Sequence, residues 1–254
     1  QNQFQMFNAA LNGTPASADG ETVKFVVALK IHSAEEPGSN WKCTGFIVSR
    51  DLVMTSGHCL TGKIRTIQIN FGVGGYRGFT HSVFSNVYDY VYANENAAGG
   101  GSPWRNGYLS FNQKIYEDYK QEVSERRRWT HHEQSNHNMT DYGLIKIERL
   151  PPGYGPVSFY NGQVRFRQTA VNVGYGINSR IKSENDGRLR WGLLEFVGFE
   201  VDENDSIRGF ELFSKDDNNQ AICMGDSGGP LLVRDRGQLK VVGINTVVYN
   251  KCAG

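Results

Sequence analysis

The 254-residue chain is 39% hydrophobic and 12% aromatic, the make-up of a globular protein with a real core rather than a disordered one. Its net charge of +1 favours neither nucleic acid nor an acidic membrane surface, and no apolar run reaches transmembrane length. The length suits one large domain or two small ones, and no signal-peptide pattern is visible at Gln1, as in a processed chain. Residues 1–10 are polar and uncharged and read as an irregular arm, closed by the turn Asn12-Gly13-Thr14-Pro15. Val23 to Ile31, Lys42 to Val48, Leu52 to Thr55, Ile64 to Phe71 and Thr80 to Val87 then read as strands separated by Gly, Ser and Asp turns. Many short strands so punctuated predict an antiparallel barrel rather than βαβ units.

From about Tyr92 to His137 this pattern stops. Ala97 to Pro103 is a linker by composition, and Ser110-x-x-Gln113 fits a capping box. Ile115, Tyr119 and Val123 follow at helical spacing, and Glu122 can pair with Arg126 on the exposed side. Arg126-Arg127-Arg128 could bind nucleic acid or heparin, but beside Glu117, Asp118, Glu122 and Glu125 it reads as a solvated helix end. His131, His132, Glu133 and His137 lack the HExxH spacing, so no metal site is expected there. Pro151 to Pro156 forms a rigid connector and the natural boundary between halves. Strands resume at Ala170 to Tyr175, Leu189 to Phe199, Gly209 to Phe213, Leu231 to Arg234 and Gln238 to Val247. Asn12, Asn138 and Asn204 each open an Asn-X-Ser/Thr glycosylation pattern.

Three motifs carry chemistry. Cys223-Met224-Gly225-Asp226-Ser227-Gly228-Gly229-Pro230 frames a serine with glycines, ahead of the strand-like Leu231-Leu232-Val233. Such a turn can aim the Gly225 and Ser227 amides at one point beside a nucleophilic hydroxyl. Thr55-Ser56-Gly57-His58-Cys59 places a histidine just past a strand, and Asp141-Tyr142-Gly143-Leu144-Ile145 an acid at the head of another. Taken singly, His58 could be a core histidine, Asp141 a strand cap and Ser227 a turn residue. Together, in the order His, Asp, Ser, the three segments resemble the trypsin/chymotrypsin-like serine protease family.

That resemblance implies an all-β fold of two antiparallel six-stranded-type barrels. The first, over residues 11–150 after the 1–10 arm, carries His58 and Asp141; the second, over 151–254, carries Ser227. The 83 residues between His58 and Asp141 include a helical insertion at about 92–137, in a loop that overhangs the cleft and could meet an inhibitor or partner. The chain stops at Cys252-Ala253-Gly254, before the family's last strand and helix, so the second barrel is expected to be incomplete. Four cysteines permit three pairings. The resemblance implies Cys43–Cys59 and Cys223–Cys252, and with them an oxidising, extracellular or periplasmic setting.

The implied activity is that of a secreted serine endopeptidase acting on protein or peptide substrates, without cofactor, metal, nucleic acid or membrane. His58, Asp141 and Ser227 form its triad, and the Gly225 and Ser227 amides its oxyanion hole. A protease-like domain that binds without cleaving is the alternative, and a latent precursor a third. By family spacing the specificity pocket is formed by Ala221 and Ile222 at the floor and Thr246, Val247 and Val248 on the wall, which favours small or medium apolar residues before the scissile bond. Asp226 stands where the family's acid receives a freed amino terminus. Ala10-Leu11-Asn12-Gly13 lies where that terminus is expected, yet no Lys or Arg occurs among Gln1 to Ala10 for a trypsin-type cleavage. A chain retaining residues 1–9 is expected to leave Asp226 another donor and the Met224 to Ser227 loop distorted.

Overall fold

The computed structural model describes residues 13–61, 63–75, 78–86, 90–94, 141–177, 186–201, 207–214 and 222–246. The helical reading of the 92–137 stretch beyond Asn94, the Arg126–Arg128 run, the histidine group, the three glycosylation patterns and the chain end at Cys252 lie outside these residues.

The described strands form two antiparallel sheets. A two-residue strand, β1 (Thr14–Pro15), pairs with the second sheet, although it precedes every strand of the first. The first sheet is built from β2 (Val26–Ser33), β3 (Asn40–Ile47), β4 (Leu52–Thr55), β5 (Ile64–Gly72), β6 (Phe79–Asn86), β7 (Tyr90–Asn94) and β8 (Asp141–Lys146). Its order is β6-β5-β2-β3-β4-β8-β7, so the two edges are consecutive in sequence. Only residues 87–89 separate them. So short a connection requires the sheet to curl until its edges approach, which makes it barrel-like. The second sheet runs β1-β10-β9-β12-β13, with β11 on β10. Its remaining members are β9 (Thr169–Gly174), β10 (Arg190–Val201), β11 (Ile207–Ser214), β12 (Pro230–Asp235) and β13 (Gln238–Ile244).

Period-two patterning explains the first barrel's interior. In β5, Ile67, Ile69 and Phe71 point into the core and are fully buried, while Thr66 and Gln68 on the alternate positions are half-buried and Asn70 is a buried polar residue. They join Leu29, Ile31, Phe46 and Ile145 in one core that continues into Val173, Leu232 and Val241 of the second sheet. A smaller cluster of Val164, Leu194, Phe196, Leu231 and Val233 fills the rest of the second half. The shared core means that the halves are packed against each other, not merely tethered.

Most strand ends fall within two residues of the sequence reading, and two boundaries differ by three. Val23 lies in a 3-10 turn, Glu21–Lys24, ahead of β2, because burial of an apolar side chain does not distinguish a turn from a strand. The last strand ends at Ile244, past which Asn245 continues the pairing irregularly, its N–H bonded to Gly229 and its carbonyl to Gly228 just ahead of β12.

Tyr175 ties the halves together. It follows β9, is buried, and its hydroxyl donates to the carbonyls of Val26 (3.4 Å) and Gly72. Burial holds this phenol far above its usual titration range. Tyr175→Phe removes the donor and strands buried carbonyls, and should lower the unfolding free energy by about 1–2 kcal/mol in urea titrations. An unchanged midpoint would show that the hydroxyl contributes nothing to the joint.

Candidate active site

His58 is delivered by a 3-10 turn, Gly57–Leu60, immediately after β4. The Cys43–Cys59 disulfide anchors that turn to β3, and the Trp41 indole N–H donates to the Cys59 carbonyl at 2.8 Å. Asp141 comes from 83 residues away, but strand register brings it in. β8 runs antiparallel to β4 with Thr55 opposite Gly143, so Asp141, two residues earlier in β8, extends past the end of β4 towards the histidine turn. Its two oxygens are used on one residue. Oδ1 accepts the His58 main-chain N–H at 2.6 Å and Oδ2 the ring Nδ1–H at 2.6 Å. This double attachment fixes the ring's orientation and its tautomer, leaving Nε2 as the lone-pair nitrogen of the neutral imidazole. The His58 side chain is 38% exposed and Asp141 14%, so the imidazole is open to solvent while its carboxylate partner is sheltered.

The serine turn docks on the same place. The Ser227 carbonyl accepts the Thr44 N–H of β3 at 2.8 Å. Gly228 N–H donates to the Asn245 carbonyl at 2.7 Å, and the Ser56 hydroxyl donates to that same carbonyl at 2.7 Å. The residue after Ser227 and a residue two before His58 thus share one acceptor, which brings Ser227, itself half-buried, to the histidine turn.

Within the turn, Asp226 N–H donates to Cys223 O at 3.0 Å and Gly229 N–H to Asp226 O at 2.9 Å. The Gly225 and Ser227 N–H groups have no acceptor among the described residues. The Met224 carbonyl accepts Ile177 N–H at 2.9 Å, and the Gly225 carbonyl accepts the Thr44 hydroxyl at 2.7 Å. Gly225 itself has φ +96°, a left-handed conformation that glycine adopts without a side-chain penalty.

Asp226 points the other way, into the protein. It is wholly buried, with Gly176 N–H on Oδ1 and Cys223 N–H on Oδ2, both at 2.9 Å. A Cβ at Gly174 or Gly176 would collide with this carboxyl, so the Gly174-Tyr175-Gly176 segment is a cradle cut to fit it. Burial pushes the Asp226 carboxyl up to about 7, against the opposing pull of the two N–H donors and Arg190. Arg190 is itself buried and forks both oxygens of Asp186, at 2.6 and 2.7 Å.

Of the expected pocket residues, Ile222, just ahead of this turn, and Thr246, just after Asn245, are half-buried, with Ile222 packed on the second-half core. Ala221, Val247 and Val248 lie outside the described residues. Cys223 is disulfide-bonded; Cys252, its expected partner, also lies outside them. Cys43, His58 and Cys59 bring donor atoms within 4.8 Å of one another, but both sulfurs are spent in the disulfide, which leaves one imidazole and no thiolate for an ion. Thr44 and Asn245 are the site residues that the sequence did not reveal. Each looks like an ordinary strand residue and acts through partners more than a hundred positions away.

The trypsin family model matches residues 11–95 and 105–254, most of the chain. The chain belongs to the trypsin family. Among solved structures, one described as HL collagenase superposes with a TM-score of 0.60 over 96% of this chain and 89% of that one, at 16% sequence identity. At that identity the likeness concerns the fold: two antiparallel barrel-like sheets, as observed. No curated protein matches the sequence significantly.

The raised Asp226 carboxyl makes stability depend on pH. The unfolded chain releases this proton near 3.8 and the folded one near 7, so folding takes up a proton between those values. The contribution is fully present below 3.8 and is lost as pH rises through about 7. Urea titrations should show wild type losing stability relative to Asp226→Asn across that window. A flat or rising difference would contradict the assignment.

Proposed function

We propose that this trypsin-family chain is a secreted serine endopeptidase with Ser227 as nucleophile, His58 as proton carrier and Asp141 as its orienting acid. The observation that carries the reading is the His58–Asp141 pair, joined by two 2.6 Å bonds beside a serine turn that shares the Asn245 carbonyl with it. His58 Nε2 takes the Ser227 proton as Oγ bonds to the peptide carbonyl carbon, and the carbonyl electron pair moves to oxygen. The tetrahedral intermediate collapses, the C–N bond breaks, and the amine leaves with the proton from His58. Water then repeats the sequence on the acyl-enzyme. The Gly225 and Ser227 amides are the oxyanion donors, each worth roughly 3–4 kcal/mol of barrier in related hydrolases.

The finer features follow from the same site. Ile222 and Thr246 belong to a pocket for small or medium apolar side chains, completed by Ala221, Val247 and Val248. No acid occurs among these five residues to pair with Lys or Arg. Met224 is 68% exposed and adds an apolar contact at the rim. Asp226 is the acceptor of an activating ammonium, because a buried carboxyl that resists ionisation gains most from an arriving cation. A latent chain is one in which that cation has not arrived. Disulfides at Cys43–Cys59 and Cys223–Cys252 suit an extracellular or periplasmic enzyme. The division into a first half at 11–150 and a second at 151–254 separates the base from the nucleophile. The insertion hangs from Asn94, which pairs with Asp141, so both its ends stand beside the triad, where an inhibitor or partner would control access.

A fluorophosphonate should label Ser227 in the wild type or after processing, and Ser227→Ala should lower kcat on the order of 10⁴-fold or more with the fold retained. Absence of labelling in every form of the chain would favour a binding domain. In a peptide-library profile, cleavage should follow small or medium apolar residues; dominance of Arg, Lys or Glu would refute the pocket assignment.

A further inference from the structure

We infer that the Thr44 hydroxyl is a positioning group for the oxyanion donors, a role that rests on the peptidase reading above. Thr44 lies in the middle of β3, fully buried, where a strand side chain normally fills the core. Its hydroxyl instead reaches across to the second half. It donates to the Gly225 carbonyl at 2.7 Å and accepts the Tyr175 N–H at 3.0 Å. Its main-chain N–H holds the Ser227 carbonyl at 2.8 Å, and its own carbonyl is held by the Thr55 hydroxyl at 2.7 Å. One residue therefore grips the carbonyls of both residues whose amides are left open.

The geometry gives this grip a consequence for chemistry. Gly225 has the least hindered backbone in the turn, and the peptide that supplies its N–H can rotate unless the oxygens on either side are tied down. Ile177 N–H ties the Met224 oxygen, which sits trans to the Gly225 N–H; the Thr44 hydroxyl ties the Gly225 oxygen. With both held, the Gly225 N–H has a fixed direction before substrate arrives, and no reorganisation accompanies charge development. Without the hydroxyl, the Gly225–Asp226 peptide keeps only its Asp226 N–H bond to the Cys223 carbonyl at 3.0 Å, and the Gly225 oxygen, left unheld among the described residues, is free to tilt.

Thr44→Val keeps the shape and removes the hydroxyl, and Thr44→Ala does so with less bulk. Both should lower kcat for a peptide substrate roughly 10- to 100-fold with KM changed less than about twofold, since only transition-state contacts are lost. Affinity for a peptide aldehyde, whose hemiacetal oxygen occupies the oxyanion position, should fall in parallel. Thr44→Ser should return both values to within about threefold of wild type, which a merely space-filling role would not allow. If Val proves too poorly packed to fold, the Ala and Ser variants decide between the two. The inference is overturned if the hydroxyl-free variants lose thermal stability but keep kcat and aldehyde affinity, or if the Ser variant is as impaired as they are. A wild type that never reacts with fluorophosphonate would instead remove the peptidase reading on which the inference stands.

Discussion

The site depends on how closely two pieces of backbone approach. Gly228, at φ +82°, rests against the middle of β3 and the end of β4 so tightly that a Cβ would collide with the Thr55 hydroxyl, the Thr44 carbonyl and Ser56 N. That contact is why Thr44 can reach Gly225 and Ser227, and why Ser56 and Gly228 can share the Asn245 carbonyl. The position of Ser227 is thus set by the packing of one barrel-like sheet on the other. A shift at the interface of an ångström or so would be felt directly in the distance between His58 and Ser227.

Asp226 sets the second constraint, and here two effects oppose each other. Burying a carboxylate costs several kcal/mol, and two main-chain N–H bonds from Gly176 and Cys223 recover part of it. Burial wins, since the carboxyl titrates near 7 rather than near 3.8. The chain therefore holds, between Gly225 and Ser227, a group whose charge changes close to neutrality. Arg190 cannot neutralise it fully because its guanidinium is already forked on Asp186, whose own carboxyl is drawn below the usual range by that contact. The arrangement leaves the Met224 to Ser227 turn built on an acid that is stable when protonated and needs a cation when not.

Much of this was legible in the sequence for local reasons. Glycines on both sides of Ser227, a histidine one turn past Leu52 to Thr55, and an acid heading Tyr142-Gly143-Leu144 are features that neighbours in the chain explain. The strands of both sheets were visible because their apolar residues alternate. β7 was not, since it begins three residues after β6 and runs into the stretch where alternation fails. β1 is only two residues long and gains its identity from β10. Thr44 and Asn245 were invisible for a different reason. A threonine suits a strand anywhere, and nothing local says that its hydroxyl will meet residues 131 and 181 positions on.

Register also explains how the His58–Asp141 pair tolerates so long an excursion between its two members. β8 is held on one side by β4, from Leu52↔Lys146 to Thr55↔Gly143, and on the other by β7, from Tyr90↔Ile145 to Asn94↔Asp141. A one-residue slip on either side would exchange the faces of β8 and expose Ile145, which is fully buried. The position of Asp141 is therefore decided by six paired residues and does not depend on the length of chain that precedes it. Closing a longer loop costs little, about 0.6 kcal/mol for each doubling, which is far less than the burial of Ile145 and Val53 supplies. Because the excursion leaves beside Asn94 and returns at its register partner, its two ends are pinned together at the acid. The two 2.6 Å bonds between Asp141 and His58 are thereby left to strand pairing alone.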